Sequence, residues 1–260
     1  MINKLDILSE INFKMYKRLI GLISKLQIIY IRNENGNGMA FNLLMNNFDV
    51  VRWSLHNLKD KDAQRELFLI FYFSYKLDGN KYHKHFDNFF NYISKFNFFT
   101  DEDFVLLYRV MSYEEYSLLI KFGNINPCWS SKIEKIQKFA PIKILTKECN
   151  KSILVASVFS KSDIVFNEKL DDESEFVVKR YAIPKKSICA FNYHLSYIKK
   201  LYKINDSNIF LNPKDVRNGY NWITALQNNG IELKLDYDCS NDFMKIVERR
   251  IKNNFNCIDA

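Results

Sequence analysis

Hydrophobic residues recur at three- and four-residue steps through the first hundred positions, a spacing that puts them on one face of a helix. The pattern begins with Leu5, Leu8, Ile11 and Met15. It continues in segments that predict helices over residues 39–58, 62–77 and 82–96. Asp62 is the predicted N-cap of the second of these. This part of the chain is therefore predicted to be helical.

Near residue 100 the pattern changes to short runs that are rich in Val, Ile and Phe and bounded by turn residues. Such runs are typical of strands. Strands are predicted over 104–110, 151–159, 163–167, 174–178 and 187–192. Helices are predicted between them at 113–122 and at 132–140. Ser112 would cap the first of these helices and Gly123 would end it.

The remainder of the chain carries further start and stop signals. Asn212 and Pro213 predict the beginning of a helix, and Gly230 predicts its end. A strand is predicted over 231–238, followed by a final helix from Ser240.

Composition favours a soluble chain with anionic partners. The 260 residues are 47% hydrophobic and carry a formal net charge of +8, which favours nucleic acid, phosphates or an acidic surface.

The five cysteines are widely spaced, a pattern that fits a reducing cytosol better than a disulfide framework. No apolar run reaches the roughly 20 residues that span a bilayer. We expect a cytoplasmic protein, and delivery into a host cell without an N-terminal signal is compatible with the sequence.

Two acids, Glu173 and Glu175, stand two residues apart at the start of the apolar strand predicted over 174–178. Alternation along a strand turns residues i and i+2 to the same face, so the two carboxylates would lie side by side and repel each other. Taken alone, such a pair is usually a solvated edge, because carboxylates are mostly exposed. Its interpretation depends on the motifs that precede it.

Two further motifs precede this pair in the chain. The first is 107-LYRVMSYEEYSLLIKFG-123, in which Arg109 lies in a strand that leads into a helix. The second is 128-CWSSKIEKIQKFA-140, in which Ser130 and Ser131 follow an aromatic residue and precede a helix. In this order, and with the E-x-E strand, the motifs resemble those of the R-S-E class of mono-ADP-ribosyltransferases, particularly its small bacterial and phage-type members. The resemblance covers residues 104–192 alone.

The resemblance implies an enzyme that uses NAD as a substrate, releases nicotinamide and transfers ADP-ribose to a macromolecule. Cleavage of the nicotinamide–ribose bond passes through an oxocarbenium-like transition state, as glycoside cleavage does. A carboxylate near the ribose stabilises the positive charge that develops there. Glu175 is implied for this role, and Glu173 is implied as the general base that prepares or binds the acceptor.

The other motif residues have ordinary structural alternatives. Arg109 would bind a pyrophosphate or ribose oxygen of the cofactor, or would be an ordinary surface or core-bridging arginine. Ser130 matches the family hydroxyl that bonds the catalytic acid or the ribose, with Ser131 as a helix cap, and the register between the two serines stays open by one position. Phe166 lies next to the segment that corresponds to the acceptor-reading loop of the family, and it would stack on the acceptor.

These observations predict an α+β fold with three parts. A helical N-terminal region over 1–100 precedes an ADP-ribosyltransferase-like split antiparallel β core with flanking helices over 101–194, and an α/β extension follows over 195–260. The nicotinamide and its ribose would lie between the two halves of the sheet, where Arg109, Ser130 and Glu175 are expected to converge.

The acceptor and the runner-up function stay open. The acidic segment 168–172 favours a cationic acceptor such as a protein arginine, whereas the net charge favours nucleic acid or an acidic protein. The alternative function is a non-enzymatic basic protein that binds nucleic acid or a host or phage protein.

Overall fold

A computed structural model describes the chain over residues 2–31, 39–76, 86–98, 103–136, 139–145, 149–167, 174–201 and 237–255. The chain divides into two compact units, Met1–Phe89 and Phe90–Ala260. Helices make up the described part of the first unit, and a six-stranded sheet with helices makes up that of the second. The predicted α+β class with a helical N-terminal region is confirmed.

The helices that begin in the first unit bury Leu5 and Leu8, as the apolar periodicity predicts, but leave Ile11 53% exposed. They are α1 Ile2–Leu5, α2 Ile7–Ile11, α3 Phe13–Ile31, α4 Met39–Asn46, α5 Phe48–Asn57, α6 Lys61–Lys76 and α7 Phe86–Ile93. The longest of them, α3, buries one face, formed by Leu19, Leu22, Ile23, Leu26 and Ile29. Burial of this stripe is the main source of stability for such a helix.

Two local predictions in this unit were wrong, both because polar side chains bond to nearby backbone. The predicted helix 39–58 is two helices, interrupted at Asn47, whose backbone is not helical (φ −119°, ψ 27°) and whose side chain donates to the Leu43 carbonyl at 2.9 Å. Helix α6 begins at Lys61, so Asp62 is not its N-cap. Asp60 caps it by accepting a hydrogen bond from the Ala63 amide at 2.8 Å.

The second unit carries all the strands of the described chain. Its elements are β1 Phe104–Ser112, α8 Tyr113–Phe122, β2 Cys128–Ser130, α9 Ile133–Ile136, α10 Phe139–Leu145, β3 Lys151–Ser160, β4 Ile164–Asn167, β5 Glu175–Val178, β6 Lys186–His194, α11 Leu195–Leu201 and α12 Tyr237–Phe255. Ser112 caps α8 by accepting from the Glu115 amide, and Gly123 ends it, both as predicted. The predicted strand 231–238 is wrong at its end, because Tyr237 already belongs to α12. The signals at 212–230 lie outside the described residues.

The sheet is antiparallel throughout, in the order β4-β5-β2-β1-β3-β6. Alternate residues of β1 pack into two separate cores. Leu106 and Val110 join the core on one face of the sheet, and Leu107 and Met111 join the core on the other. This alternation is the strand period of two, and it decides which residues of neighbouring strands can meet. No helix in the described ranges is long and apolar enough to cross a membrane.

Candidate active site

Two half-sheets meet at a single paired position. Strand β1 pairs with β3 over its whole length, from Phe104 opposite Ser160 to Ser112 opposite Ser152. Between β1 and β2, by contrast, only Tyr108 and Ser130 are paired. The half-sheets β4-β5-β2 and β1-β3-β6 are thus joined by one residue pair, and we call this junction the split. The antiparallel pairing agrees with the α+β core predicted for this part of the chain.

The structure brings Ser130 and Glu175 together. They lie directly opposite each other in the register between β2 and β5, and only 2% and 3% of their surfaces are exposed. Opposed residues of neighbouring strands share a face, so Tyr108, Ser130 and Glu175 form a row across three strands at the split. A carboxylate in such a low-dielectric position acts strongly on any positive charge that forms beside it.

The strand that carries Glu175 begins from an unusual backbone conformation. Ser174 has a φ of 46°, in the left-handed region that residues other than glycine rarely adopt. Its carbonyl accepts a hydrogen bond from the Ser131 amide at 3.3 Å. Strained residues of this kind persist where the surrounding structure fixes them, and they cluster at functional sites. The contact holds the start of β5 against the end of β2.

The open register between the two serines is resolved by the strand pairing. Ser130 is the last residue of β2 and the one that faces Glu175. Its hydroxyl also forms a local turn, accepting from the Lys132 amide at 2.9 Å and donating to the Lys132 carbonyl at 3.1 Å. Ser131 lies beyond the strand and is exposed. Ser130 is therefore the residue of the motif that can act together with Glu175.

Arg109 does not share the face of Ser130 and Glu175. It follows Tyr108 along β1, so alternation turns it to the other side of the sheet, the side of Leu107 and Met111. Its guanidinium donates to the Cys128 carbonyl and to Glu115 Oε1 at 3.0 Å. The structure therefore brings together two of the three residues that were expected to converge. The third reaches across the split to the backbone of β2.

Glu115 is a buried partner that the sequence interpretation missed. Its carboxylate, in the first turn of α8, accepts from Arg109 and from the Asn126 amide group, and the Lys143 ammonium lies 4.0 Å away. The first turn of a helix favours negative charge, because the helix dipole is positive there. The sequence signal was the spacing Ser112-x-x-Glu115, which is typical of a capping box. Only the fold shows that the carboxylate turns towards Arg109.

Two aromatic residues of the motif region belong to the core. Trp129 lies in the core, where its ring contacts Phe159 edge-on, with centroids 5.0 Å apart. Phe166 is also buried in β4, so it does not stack on an acceptor. Glu173 and the acidic segment 168–172 lie outside the described residues, and the expected role of Glu173 stays a prediction.

The arrangement combines a hydroxyl, a buried carboxylate and a junction that interrupts the sheet. This combination can hold a sugar hydroxyl and stabilise positive charge on a ring carbon. Comparisons of the chain with protein-family models, with curated proteins and with solved structures find no match.

Proposed function

We propose that the chain is an NAD-dependent mono-ADP-ribosyltransferase that transfers ADP-ribose to a macromolecular acceptor. The observation that carries the proposal is the pairing of Ser130 with Glu175, both buried, on adjacent strands at the split. The motif order of the sequence supports the same assignment. For the acceptor we propose only a chemical type, a nucleophile that gives up a proton.

In the proposed reaction the bond between ribose C1′ and the nicotinamide nitrogen breaks, and its electron pair leaves with nicotinamide. Glu175 stabilises the resulting positive charge on the ribose, because a fixed carboxylate costs no reorganisation during the reaction. The acceptor then bonds to C1′ and releases a proton, for which Glu173 is the proposed base. Ser130 either accepts a hydrogen bond from a ribose hydroxyl or turns its single proton from the Lys132 carbonyl to Glu175.

Arg109 has a more restricted role in this proposal. It bonds the Cys128 carbonyl, two residues before Ser130, and so fixes the strand that carries the serine. A guanidinium has five N–H donors. In Arg109, Nε donates to Glu115 and Nη1 donates to the Cys128 carbonyl. The role predicted from the sequence, binding of a pyrophosphate oxygen, would require the cofactor to reach the opposite face of the sheet from Glu175.

The direct test uses NAD that is labelled in its ADP-ribose part. The purified chain is incubated with labelled NAD and with lysates of candidate host cells, and both nicotinamide release and label transfer are measured. Glu175→Gln keeps the size of the side chain and removes its charge, and Glu10→Gln makes the same change at an exposed position of the first unit. Wild-type turnover that Glu10→Gln retains and Glu175→Gln loses supports the proposal. No turnover in any lysate, or equal turnover by both variants, contradicts it and favours the non-enzymatic alternative.

A further inference from the structure

Two exposed aromatic residues are carried by adjoining turns near the end of β5, away from Glu175 at the start of that strand. Phe122 ends α8 and is 51% exposed, and Tyr181 follows β5 and is 55% exposed. The neighbouring Ile183 is 70% exposed. Because none of the three contributes much to the core, fold stability does not account for these apolar side chains.

The two turns that carry the rings are fixed to each other by backbone hydrogen bonds. The Tyr181 amide donates to the Asn124 carbonyl at 2.7 Å, and the Asn124 amide donates to the Ala182 carbonyl at 2.8 Å. The buried Asn124 side chain adds bonds to the carbonyls of Val178 and Lys179, each at 3.1 Å. The rings therefore stand on a rigid base, which lowers the entropy cost of binding a ligand.

Tyr181 has a strained backbone conformation that a tyrosine rarely adopts. Its φ is 62°, a region in which a bulky side chain costs conformational energy and glycine does not. Gly123 makes the turn possible, because a Cβ at that position would lie 2.6 Å from the Tyr181 carbonyl oxygen. A strained, exposed aromatic on a well-fixed turn is an outlier that points to function.

Cationic side chains lie beside both rings. The segments 117–127 and 179–187 together contain five basic residues and no acidic one. The Lys121 ammonium lies 5.0 Å from the centre of the Phe122 ring, and the Arg180 guanidinium lies 4.9 Å from the centre of the Tyr181 ring. Lys121 and Lys185 are exposed. Each ring thus has a cation beside it, and the exposed Lys121 ammonium can meet a phosphate.

We propose that this surface, formed by Lys121, Phe122, Arg180, Tyr181, Ile183 and Lys185, binds single-stranded nucleic acid. Unpaired bases stack on exposed aromatic rings while neighbouring cations bind the phosphates, and every base has a face that can stack. A duplex would not fit the rings in this way, because its base faces are already stacked. The proposal does not rest on the proposed transferase activity, since it concerns the opposite end of β5.

The test measures fluorescence anisotropy of labelled dT15 and U15 oligonucleotides with the full chain, in the absence of NAD. Tyr181→Gly removes the ring and suits the positive φ, so the turn should stay folded, whereas Tyr181→Phe keeps the ring. Phe13→Ala is the matched control, because Phe13 is also exposed and also has a cation beside it, Lys17 at 4.6 Å, but belongs to the first unit. Circular dichroism and thermal unfolding check that each variant is folded.

We expect Tyr181→Gly to weaken oligonucleotide binding about fivefold to a hundredfold, the range for losing one base–aromatic stack. Tyr181→Phe and Phe13→Ala should bind as the wild type does. Replacing Lys121 and Lys185 with glutamine should reduce the slope of log affinity against log salt by about 1.4.

Three results would overturn the proposal. In the first, the wild type binds no oligonucleotide. In the second, a folded Tyr181→Gly variant binds the oligonucleotides as tightly as the wild type does. In the third, the chain binds vesicles of phosphatidylserine and phosphatidylcholine in a Tyr181-dependent way but binds no oligonucleotide. Nicotinamide release, measured separately with Glu175→Gln, distinguishes a failure of this proposal from a failure of the proposed transferase activity.

Discussion

Ser130 and Glu175 face each other across β2 and β5, at the point where one residue pair joins the two halves of the sheet. Forty-four positions separate them in the sequence, and only the strand register brings them together. Because both are buried, a charge on Glu175 is less screened by solvent than it would be at the surface. The proposed chemistry depends on this pair.

Glu175→Gln should lower the rate of nicotinamide release about 10²- to 10³-fold, the scale for losing one preorganised electrostatic group. Nicotinamide release is measured at saturating NAD, so that weaker binding does not imitate a slower reaction. A folded Glu175→Gln variant with more than about a third of the wild-type rate would remove Glu175 from the proposed mechanism.

Ser130→Ala should reduce the same rate by roughly tenfold, the scale of one lost hydrogen bond. The effect should be smaller than that of Glu175→Gln, because the serine orients and the carboxylate stabilises charge. Ser131→Ala is the matched control, since Ser131 is exposed beyond β2. If Ser131→Ala were the more damaging change, the assignment of Ser130 to the site would be wrong.

Arg109 and Glu115 should be energetically coupled. Their side chains pair at 3.0 Å and are largely buried, and hydrogen bonds to charged groups contribute about 1.5–3 kcal/mol. A double-mutant cycle with Arg109→Gln and Glu115→Gln, followed by urea unfolding, should give a coupling energy of at least about 1 kcal/mol. Additive effects of the two changes would show that the pair is energetically unimportant.

The same variants separate the structural role of Arg109 from a role in binding NAD. If its remaining donors bind the pyrophosphate, Arg109→Gln should raise KM for NAD even in the Glu115→Gln background. An unchanged KM in that background would limit Arg109 to holding β2.

Gly123→Ala should destabilise the chain by more than about 2 kcal/mol. The backbone at Gly123 has a φ of 85° and a ψ of −170°, a combination that is essentially restricted to glycine, and the added Cβ would lie 2.6 Å from a carbonyl oxygen. Gly21→Ala is the control, because Gly21 lies within α3 with nothing close to its missing Cβ. That change should stabilise by about 0.5–1 kcal/mol. Chemical unfolding measures both, and similar values for the two variants would contradict the strain argument.

Unfolding of the chain should show a pH-dependent contribution from Asp49. Arg18 donates two hydrogen bonds to its carboxylate, at 2.6 and 3.1 Å, and this contact holds the pKa of Asp49 below its ordinary value. Since the folded-state pKa is lowered, the stabilisation is present above the unfolded pKa of about 3.9 and is lost as the pH falls through the folded value.

The comparison of Asp49→Asn with the wild type tests this assignment. At pH 6 the variant should be less stable by no more than about 1 kcal/mol, because the pair is exposed, and the difference should shrink as the pH falls from the unfolded pKa of about 3.9 through the lowered folded-state pKa. Arg18→Gln should remove the same pH-dependent difference. A stability difference that does not change between pH 6 and pH 3 would contradict the role of this ion pair.

Much of the local structure is determined by the sequence itself. The apolar period of α3, the cap at Ser112 and the stop at Gly123 are properties of neighbouring residues, so they can be predicted without knowledge of the fold. The beginnings of the strands at 104 and 151 follow from β-branched and aromatic runs in the same way. Predictions of this kind were wrong where a polar side chain forms a hydrogen bond with nearby backbone, as at Asn47 and Asp60.

The sequence by itself determined the α+β class and the chemical types of the motif residues. Only the tertiary structure decided which of them meet: the register puts Ser130 opposite Glu175, turns Arg109 to the other face and directs Glu115 towards it. The physical reason is that register depends on hydrogen bonds and packing between segments far apart in the chain. A shift of one residue would reverse the face of every side chain in a strand.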